Sequence, residues 1–346
     1  MIEKRSLLEF SPEELKQELI AMGEKPFRAA QVYSWLTQCR PFSEMSNLSK
    51  TLRQKLMERY TEGYPEIETV VVSSDGTRKY LLRLADGNLI EAVLMQYHYG
   101  NTLCISTQVG CPMGCVFCAS GLGGLVRNMT AGEMLGEVLR INAELGPGRN
   151  ITNIVLMGTG EPLLNYKQVV RFLQLIHGEQ SLHIALRNIS LSTCGITPAI
   201  YRLAEEGMPL TLCLSLHSAI PEKRLQIMPV EKGYPLEHTI QAMRTYGEKT
   251  GRRIIYEYIM LADFNLGEED ADALAQLLRG QICHVNLIPL NGNVGRFRAP
   301  TVQEIQNFEK MLKKREISAT RRRTLGQDIE GACGQLRARY QKRTGE

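Results

Sequence analysis

The feature that most constrains the fold is a regular alternation of short apolar runs and helical segments after about residue 101. Strands are predicted at 102–106, 153–157, 188–192, 210–215, 254–260 and 284–289. Helices are predicted at 130–145, 166–177, 197–206, 237–249, 268–279 and 301–314. These segments form six βα units, and right-handed βα crossovers build a parallel sheet covered by helices, either doubly wound or curved into a barrel. The sequence therefore predicts an α/β domain whose ligand site lies at the carboxyl ends of its strands.

The first hundred residues follow a different pattern. Ser11 and Pro12 are typical of a helix start, and helices are predicted at about 11–22, 27–37 and 49–59. From about residue 66 the runs become β-rich, with Asp75-Gly76 and Asp86-Gly87 as hairpin turns. The predicted division is a helical accessory domain at 1–62, a β-hairpin linker at 63–100, the α/β domain at 101–300, and a C-terminal helix and segment at 301–346.

The composition is that of a globular protein. At 346 residues the chain can bury a sizeable core, and its hydrophobic (43%) and charged (23%) fractions are ordinary. Its apolar runs are too short to span a bilayer, and its start lacks the apolar core of a secretory signal. The nine cysteines are an odd number at wide, irregular spacings, which argues against a disulfide framework. We therefore expect a cytoplasmic protein without a membrane partner.

The charge is distributed unevenly along the chain. The net charge is only +4, but the segment from Lys313 to Arg343 is strongly basic (KKRE, RRR, RARYQKR). Such a segment fits either a solvated surface or a contact with nucleic acid. Charge alone leaves both interpretations open.

Three cysteines, Cys111, Cys115 and Cys118, lie at C-x3-C-x2-C spacing directly after a predicted strand. Thiolates are soft ligands that select iron–sulfur clusters or zinc over hard cations. A closed zinc site needs a fourth ligand, whereas an iron–sulfur cluster on three cysteines keeps one iron open for another molecule. The spacing favours a cluster; a zinc knuckle or three buried core cysteines are the alternatives.

Polar motifs follow four of the predicted strands. After strand 153–157 comes a Gly-Thr-Gly-Glu-Pro turn, in which Gly160 allows close backbone approach and Glu161 offers an acceptor for an ammonium group. The other motifs contain Ser192, then Ser215, Leu216 and His217, and then Asn291. Each motif alone is compatible with an ordinary turn, but polar groups at successive strand ends could bind the ribose or carboxylate of a nucleoside ligand.

The chain resembles one family in TLCISTQVGCPMGCVFC, GTGEPLLN, SLSTCG, LSLHS, HVNLIPLN and DIEGACGQL. These motifs are similar to those of radical S-adenosylmethionine (SAM) enzymes, and most closely to the dual-specificity adenine-C2 methyltransferases of ribosomal and transfer RNA. The N-terminal GEKPFRAAQVYSWL is similar too, so the resemblance covers nearly the whole chain. It implies a partial (β/α)6 barrel, with a 4Fe-4S cluster on Cys111, Cys115 and Cys118 and SAM at the fourth iron. Thr159 departs slightly from the family pattern, because closer relatives usually have Met there.

The resemblance also implies catalytic roles. Cys333 would receive a methyl group from one SAM, and a second SAM, cleaved reductively at the cluster, would supply the radical that activates this methyl. Glu91, in an otherwise apolar run, would take the proton from adenine carbon 2, and Cys104 would form a transient disulfide with Cys333 to release the product. A low-potential electron donor such as flavodoxin or ferredoxin would be required.

The implied substrates are an adenosine in 23S rRNA and one in tRNA, each unstacked so that the base is accessible. Lys25, Phe27, Arg28, Trp35, Lys50 and Arg53 of the N-terminal domain are candidates for gripping RNA, although packing of a helical core is the preferred interpretation for Trp35. Two rival functions remain: methylation of adenine carbon 8, and an RNA-binding assembly factor whose cluster is only structural. The residues do not specify the oligomeric state, and a monomer is expected.

Overall fold

The computed structural model describes residues 4–146, 148–291, 295–323 and 325–329. Its N-terminal elements are β1 (Arg5–Ser6), α1 (Pro12–Ala21), α2 (Arg28–Thr37), α3 (Lys50–Arg59) and β2 (Tyr60–Thr61). The three predicted helices are confirmed. Ser11 caps α1 reciprocally, because its hydroxyl accepts the Glu14 N–H and the Glu14 carboxylate accepts the Ser11 N–H. Leucines on one face of each helix are fully buried, so the helices share one apolar core.

Three antiparallel strands follow, β3 (Glu66–Val72), β4 (Arg78–Arg83) and β5 (Leu89–Tyr97), and then β6 (Gly100–Cys104). The two Asp-Gly turns lie between β3 and β4 and between β4 and β5, as predicted. These strands do more than connect two regions, because β5 pairs with β6 and thereby extends the main sheet. The domain boundaries at 62, 100 and 300 remain a prediction.

The remaining elements build the α/β domain. They are β7 (Gln108–Gly110), β8 (Leu125–Asn128), α4 (Ala131–Glu144), β9 (Ile151–Leu156), α5 (Tyr166–His177), β10 (Ile189–Thr193), α6 (Thr197–Glu205), β11 (Thr211–Ser215), α7 (Pro221–Ile227), α8 (Leu236–Thr250), β12 (Ile254–Met260), α9 (Glu268–Leu278), β13 (Cys283–Pro289), α10 (Val302–Lys314) and β14 (Ala319–Arg321). The six βα units are confirmed. Sequence reasoning missed β7, β8, α7 and β14, all of which are short.

One ten-stranded sheet organises the molecule, in the order β14-β13-β12-β11-β10-β9-β6-β5-β4-β3. Strands β6 and β9 to β14 are parallel, while β3, β4 and β5 are antiparallel to their neighbours. No pairing among the described residues joins β14 to β3, so the βα barrel is open, as the resemblance implied. Within the described part of the chain, no helix combines the length and apolar character needed to cross a bilayer.

Candidate active site

The three motif cysteines lie on the loop between β7 and β8. The Cys111 N–H donates to Gly124 O at 3.0 Å, which closes the loop at its base. Gly110 precedes it with φ +77°, and a Cβ there would lie 2.0 Å from Gly124 O, so only glycine fits. All three thiols are half-buried and line one cavity of about 420 Å³. The three cysteines of the sequence motif therefore line the same pocket.

The Gly-Thr-Gly-Glu-Pro turn forms the adjoining wall. Gly160 has φ +115°, and a Cβ there would lie 2.7 Å from the Gln108 Cβ. The Glu161 carboxylate is buried and accepts the Leu163 N–H at 2.9 Å and the Cys194 N–H at 2.7 Å. Burial raises the pKa of Glu161, and the Cys194 N–H opposes that rise. The carboxylate is thus fixed in the cavity wall, and each oxygen retains a lone pair for a ligand cation.

The ends of β10 and β11 supply hydroxyl groups to the same cavity. Ser192 Oγ lies 2.9 Å from Glu257 Oε2 on β12 and 3.3 Å from Ser215 Oγ on β11. These contacts link three neighbouring strands at their carboxyl ends. The polar strand ends predicted from sequence therefore meet at one edge of the sheet.

His217 presents a defined tautomer to the cavity. Its Nδ1 accepts the Ile259 N–H at 3.0 Å, so in the neutral ring Nε2 carries the proton. Burial, with a smaller contribution from the charge of Arg224, lowers the pKa of His217 to about 3. The ring also packs edge-on against Phe117 of the cysteine loop, with centroids 4.7 Å apart. His217 is therefore a neutral donor at physiological pH.

Of the seven residues predicted to bind SAM, six line the cavity: Gly160, Glu161, Ser192, Ser215, His217 and Asn291. Leu216 does not. It is fully buried, its N–H donates to Glu257 O at 3.0 Å, and its carbonyl accepts the Arg224 Nε–H at 3.1 Å. Its role in SAM binding therefore stays a prediction.

Glu91 and Cys104 lie on one face of β5 and β6, since Cys104 pairs with Val93, two residues from Glu91. Both are buried, and Glu91 Oε2 lies 3.3 Å from the Nζ of buried Lys79. Neither is among the described residues that line the cavity, but Met157, which does line it, packs against the apolar cluster of Val93, Met95 and Cys104. Cys333 lies outside the described residues, so its pairing with Cys104 stays a prediction.

Comparison with known proteins identifies the family. Residues 5–61 match the ribosomal RNA large subunit methyltransferase N-terminal domain, and residues 105–278 match the radical SAM superfamily. A probable dual-specificity RNA methyltransferase RlmN from Clostridium perfringens is 48% identical to this chain, and the match covers 99% of each chain. The probable RlmN from Lachnoclostridium phytofermentans is 49% identical, and the match covers 99% of this chain and 97% of its own. The chain belongs to the RlmN family of radical SAM RNA methyltransferases. A crystal structure of a radical SAM methyltransferase from Sphaerobacter thermophilus covers 96% of this chain and 98% of its own, at 41% identity and a TM-score of 0.92.

Radical SAM enzymes use a 4Fe-4S cluster and SAM, and the cavity of this RlmN-family chain fits both groups. Burial, with a smaller contribution from the charge of Cys118, raises the pKa of Cys111 to about 11 and that of Cys115 to about 12. A bound cation would reverse this effect and hold the thiolates ionised. Among the described residues no three Cys, His, Asp or Glu side chains converge closely enough to hold a single metal ion.

Two residues of the site escaped sequence reasoning. Arg224 on α7 is fully buried, forms an ion pair with Glu231, and donates to Cys194 O at 2.7 Å, so it holds the end of β10. Glu257 on β12 lines the cavity beside Ser192. The sequence did contain a signal for Glu257, because it is an ionisable residue within the apolar run IIYEYIM. The same kind of signal identified Glu91.

The N-terminal candidates for RNA contact divide into two groups. Trp35 packs against the helical core, and its Nε1 donates to Asn47 Oδ1 at 2.7 Å, which agrees with the packing interpretation. Phe27 is exposed, with the Arg28 guanidinium 4.9 Å from its ring centroid. Lys25 and Lys50 are also exposed. An accessible aromatic ring with nearby cations thus remains on this domain.

Proposed function

We propose that this chain methylates carbon 2 of an adenosine in 23S rRNA and of one in tRNA, in the cytoplasm. The observation that carries the proposal is that Cys111, Cys115 and Cys118 face the same cavity as Glu161 and the polar strand ends, in a chain whose N-terminal domain belongs to the RlmN family. When bound to the three cysteines, a 4Fe-4S cluster supplies the electron that cleaves SAM reductively. Flavodoxin or ferredoxin is the class of reductant proposed, and the enzyme is expected to act as a monomer.

The chain's own residues then perform group and proton transfer. The Cys333 thiolate attacks the methyl carbon of one SAM, because thiolates are good nucleophiles, so that S-adenosylhomocysteine leaves and the methyl group stays on the Cys333 sulfur. A second SAM, cleaved reductively, would supply the radical that takes one hydrogen atom from this methyl group, and the resulting methylene carbon would bond to carbon 2. Glu91 takes the proton from carbon 2 as the adduct gives up one electron, which balances the electron used to cleave SAM. Cys104 then attacks the Cys333 sulfur, so that a disulfide forms, the carbon–sulfur bond breaks, and the released carbon takes a proton to become the product methyl group. External reductant restores both thiols.

The arrangement of described residues supports these assignments. Glu91 is buried, and an ion pair with the Nζ of Lys79 at 3.3 Å holds its side chain in place. Leu325 packs against the cluster of Val93, Met95 and Cys104, and Cys333 follows Leu325 by only eight residues. On the N-terminal domain, Phe27 and Arg28 offer a stacking surface and a phosphate contact for an RNA loop.

The test is an anaerobic incubation of cluster-reconstituted protein with methyl-labelled SAM and a ribosomal RNA fragment or a tRNA. Digested nucleosides are compared by mass spectrometry with 2- and 8-methyladenosine standards. We expect 2-methyladenosine from both RNAs. Only 8-methyladenosine would support the carbon-8 rival, and RNA binding without SAM consumption would support an assembly factor.

The two cysteine roles are tested in the same assay. Cys333→Ala should abolish methyladenosine while 5′-deoxyadenosine still forms, uncoupled from RNA product. Cys104→Ala should accumulate a covalent enzyme–RNA adduct, because the bond from the Cys333 sulfur to the product cannot be broken. Normal product yield from Cys333→Ala, or free product at normal turnover from Cys104→Ala, would contradict the assigned roles.

A further inference from the structure

Glu257 is the point at which the cavity-lining strands meet. It lies on β12, and its carbonyl oxygen accepts the N–H groups of Leu216 and His217 at 3.0 Å each. Its carboxylate accepts the Ser192 hydroxyl through Oε2 at 2.9 Å. A single residue therefore holds the ends of both β10 and β11 in place.

The second carboxylate oxygen of Glu257 points to a ligand. The residue is only 6% exposed, and its Oε1 has no hydrogen-bond partner among the described residues. Buried polar atoms are almost always paired, because leaving one unpaired forfeits the hydrogen bonds that water would have made. Glu257 lines the same cavity as the three cysteines. The missing donor is therefore expected to come from a molecule in that cavity.

The position of Glu257 in the sheet indicates which part of SAM it meets. Glu161 follows β9, beside the cysteine loop, and β10 and β11 separate it from β12. If the amino-acid end of SAM lies at the cysteines, the nucleoside end extends across β10 towards β12. A ribose offers two neighbouring hydroxyl donors, and carboxylates are common acceptors for ribose hydroxyls in nucleotide sites.

We propose that Glu257 is a SAM-binding residue whose free Oε1 accepts a hydrogen bond from a ribose hydroxyl. This inference rests on the proposed function, because it takes the cavity to be the SAM site. Ser192 fixes the other oxygen and thereby sets the orientation of the carboxylate. Arg322, which also lines the cavity, supplies a compensating positive charge. Ribose recognition thus depends on β12 as well as on β10 and β11.

A matched control is available in Glu137 on α4. Its side chain is fully buried, one oxygen accepts the Ser106 N–H at 3.3 Å, and Oε2 has no partner among the described residues. Unlike Glu257, it is not among the described residues that line the cavity. The two glutamates therefore share burial and an unpaired oxygen, and differ in access to a ligand.

The experiment measures anaerobic binding of S-adenosylhomocysteine and its 2′-deoxy and 3′-deoxy analogues to the cluster-reconstituted full chain by calorimetry. We expect the unsubstituted chain to bind the parent about tenfold more tightly than at least one deoxy analogue, as for a hydrogen bond to a charged group. Glu257→Leu, which removes both acceptor oxygens, should reduce this preference to about threefold or less. Glu257→Gln should retain part of the preference, and Glu137→Gln all of it.

Equal affinity of the unsubstituted chain for all three ligands would overturn the inference without any variant. A full ribose preference in Glu257→Leu would do the same. Product analysis on the same preparations separates the two proposals: a chain that forms 2-methyladenosine but shows no ribose preference keeps the proposed function and loses this inference. Failure of the unsubstituted chain to bind S-adenosylhomocysteine at all would overturn both.

Discussion

At the scale of single residues, His217 combines an unusual backbone conformation with a buried ring. Its φ is +60°, a region that most side chains avoid and that Asn tolerates well. The conformation turns the chain after β11 so that Nδ1 meets the Ile259 N–H and the ring meets Phe117. Because the buried ring stays neutral, the folded state resists protonation that the unfolded state accepts freely.

This difference predicts a pH dependence of stability. The pKa of His217 is about 3 in the folded chain and about 6.5 when unfolded. The contribution of the neutral His217 ring to the free energy of unfolding is therefore fully present above pH 6.5 and is lost as the pH falls towards 3. His217→Asn should reduce the loss of unfolding free energy between pH 7.5 and pH 5 by about 2 kcal/mol, measured by urea denaturation. His183→Asn, which replaces an exposed histidine with φ +52°, is the control; an equal reduction there would contradict the assignment.

At the scale of elements, the short helix α7 connects the cysteine loop to the strand ends. The Val116 N–H in the loop donates to Ile227 O at the end of α7. From the same helix, the Arg224 guanidinium donates to Cys194 O and Ser215 O, which follow or end β10 and β11. Glu231 balances its charge and also accepts the Leu236 N–H at the start of α8. One buried arginine thus connects four segments of the site.

Removing this arginine should be costly. Arg224→Leu leaves the Glu231 carboxylate buried without its cation and three carbonyls without a donor, so we expect a loss of about 3–5 kcal/mol in unfolding free energy. Lys249→Leu, which breaks the exposed ion pair between α8 and Glu205 of α6, should cost less than about 1 kcal/mol. Urea denaturation compares the two. Similar losses of unfolding free energy in both variants would contradict the structural role of Arg224.

At the scale of the whole molecule, the end of the described chain returns to the turn between β3 and β4. The Gly326 N–H donates to Asp75 Oδ2 at 2.8 Å, and the Ser74 N–H donates to Asp328 Oδ2 at 2.9 Å. The hydrogen bonds to Gly326 and Thr77 lower the pKa of Asp75 to about 2. Residues about 250 positions apart are thereby joined near the two edges of the open sheet. Cys333 follows Asp328 by five residues.

Loosening this junction should affect methyl transfer more than SAM binding. Asp75→Ala removes the acceptor for the Gly326 N–H. We expect the yield of 2-methyladenosine to fall several-fold, which is about the effect of losing one charge-assisted hydrogen bond. The affinity for S-adenosylhomocysteine should not change. Asp86→Ala alters the other Asp-Gly turn and should leave the yield intact. Calorimetry and nucleoside mass spectrometry give the two readouts. A parallel loss of affinity and yield in Asp75→Ala would indicate general destabilisation instead.

Patterns that repeat along the chain were readable from sequence. The six βα units, the three N-terminal helices and both Asp-Gly turns were predicted, because apolar periodicity and turn residues act over a few positions. The three cysteines and the polar strand ends were also identified, since parallel strands bring their carboxyl ends to one edge. The order of the parallel strands was therefore enough to predict that these groups lie around one cavity.

Only the tertiary structure decided the rest. The short elements β14 and α7 have too few residues for a periodic signal and form because neighbouring strands and buried partners stabilise them. Arg224 and Glu257 resemble surface charges in sequence, and their importance appears only when Cys194, Ser192 and the cavity lie beside them. Local propensity determined the elements, whereas burial, a property of the packed chain, determined which charged groups became part of the site.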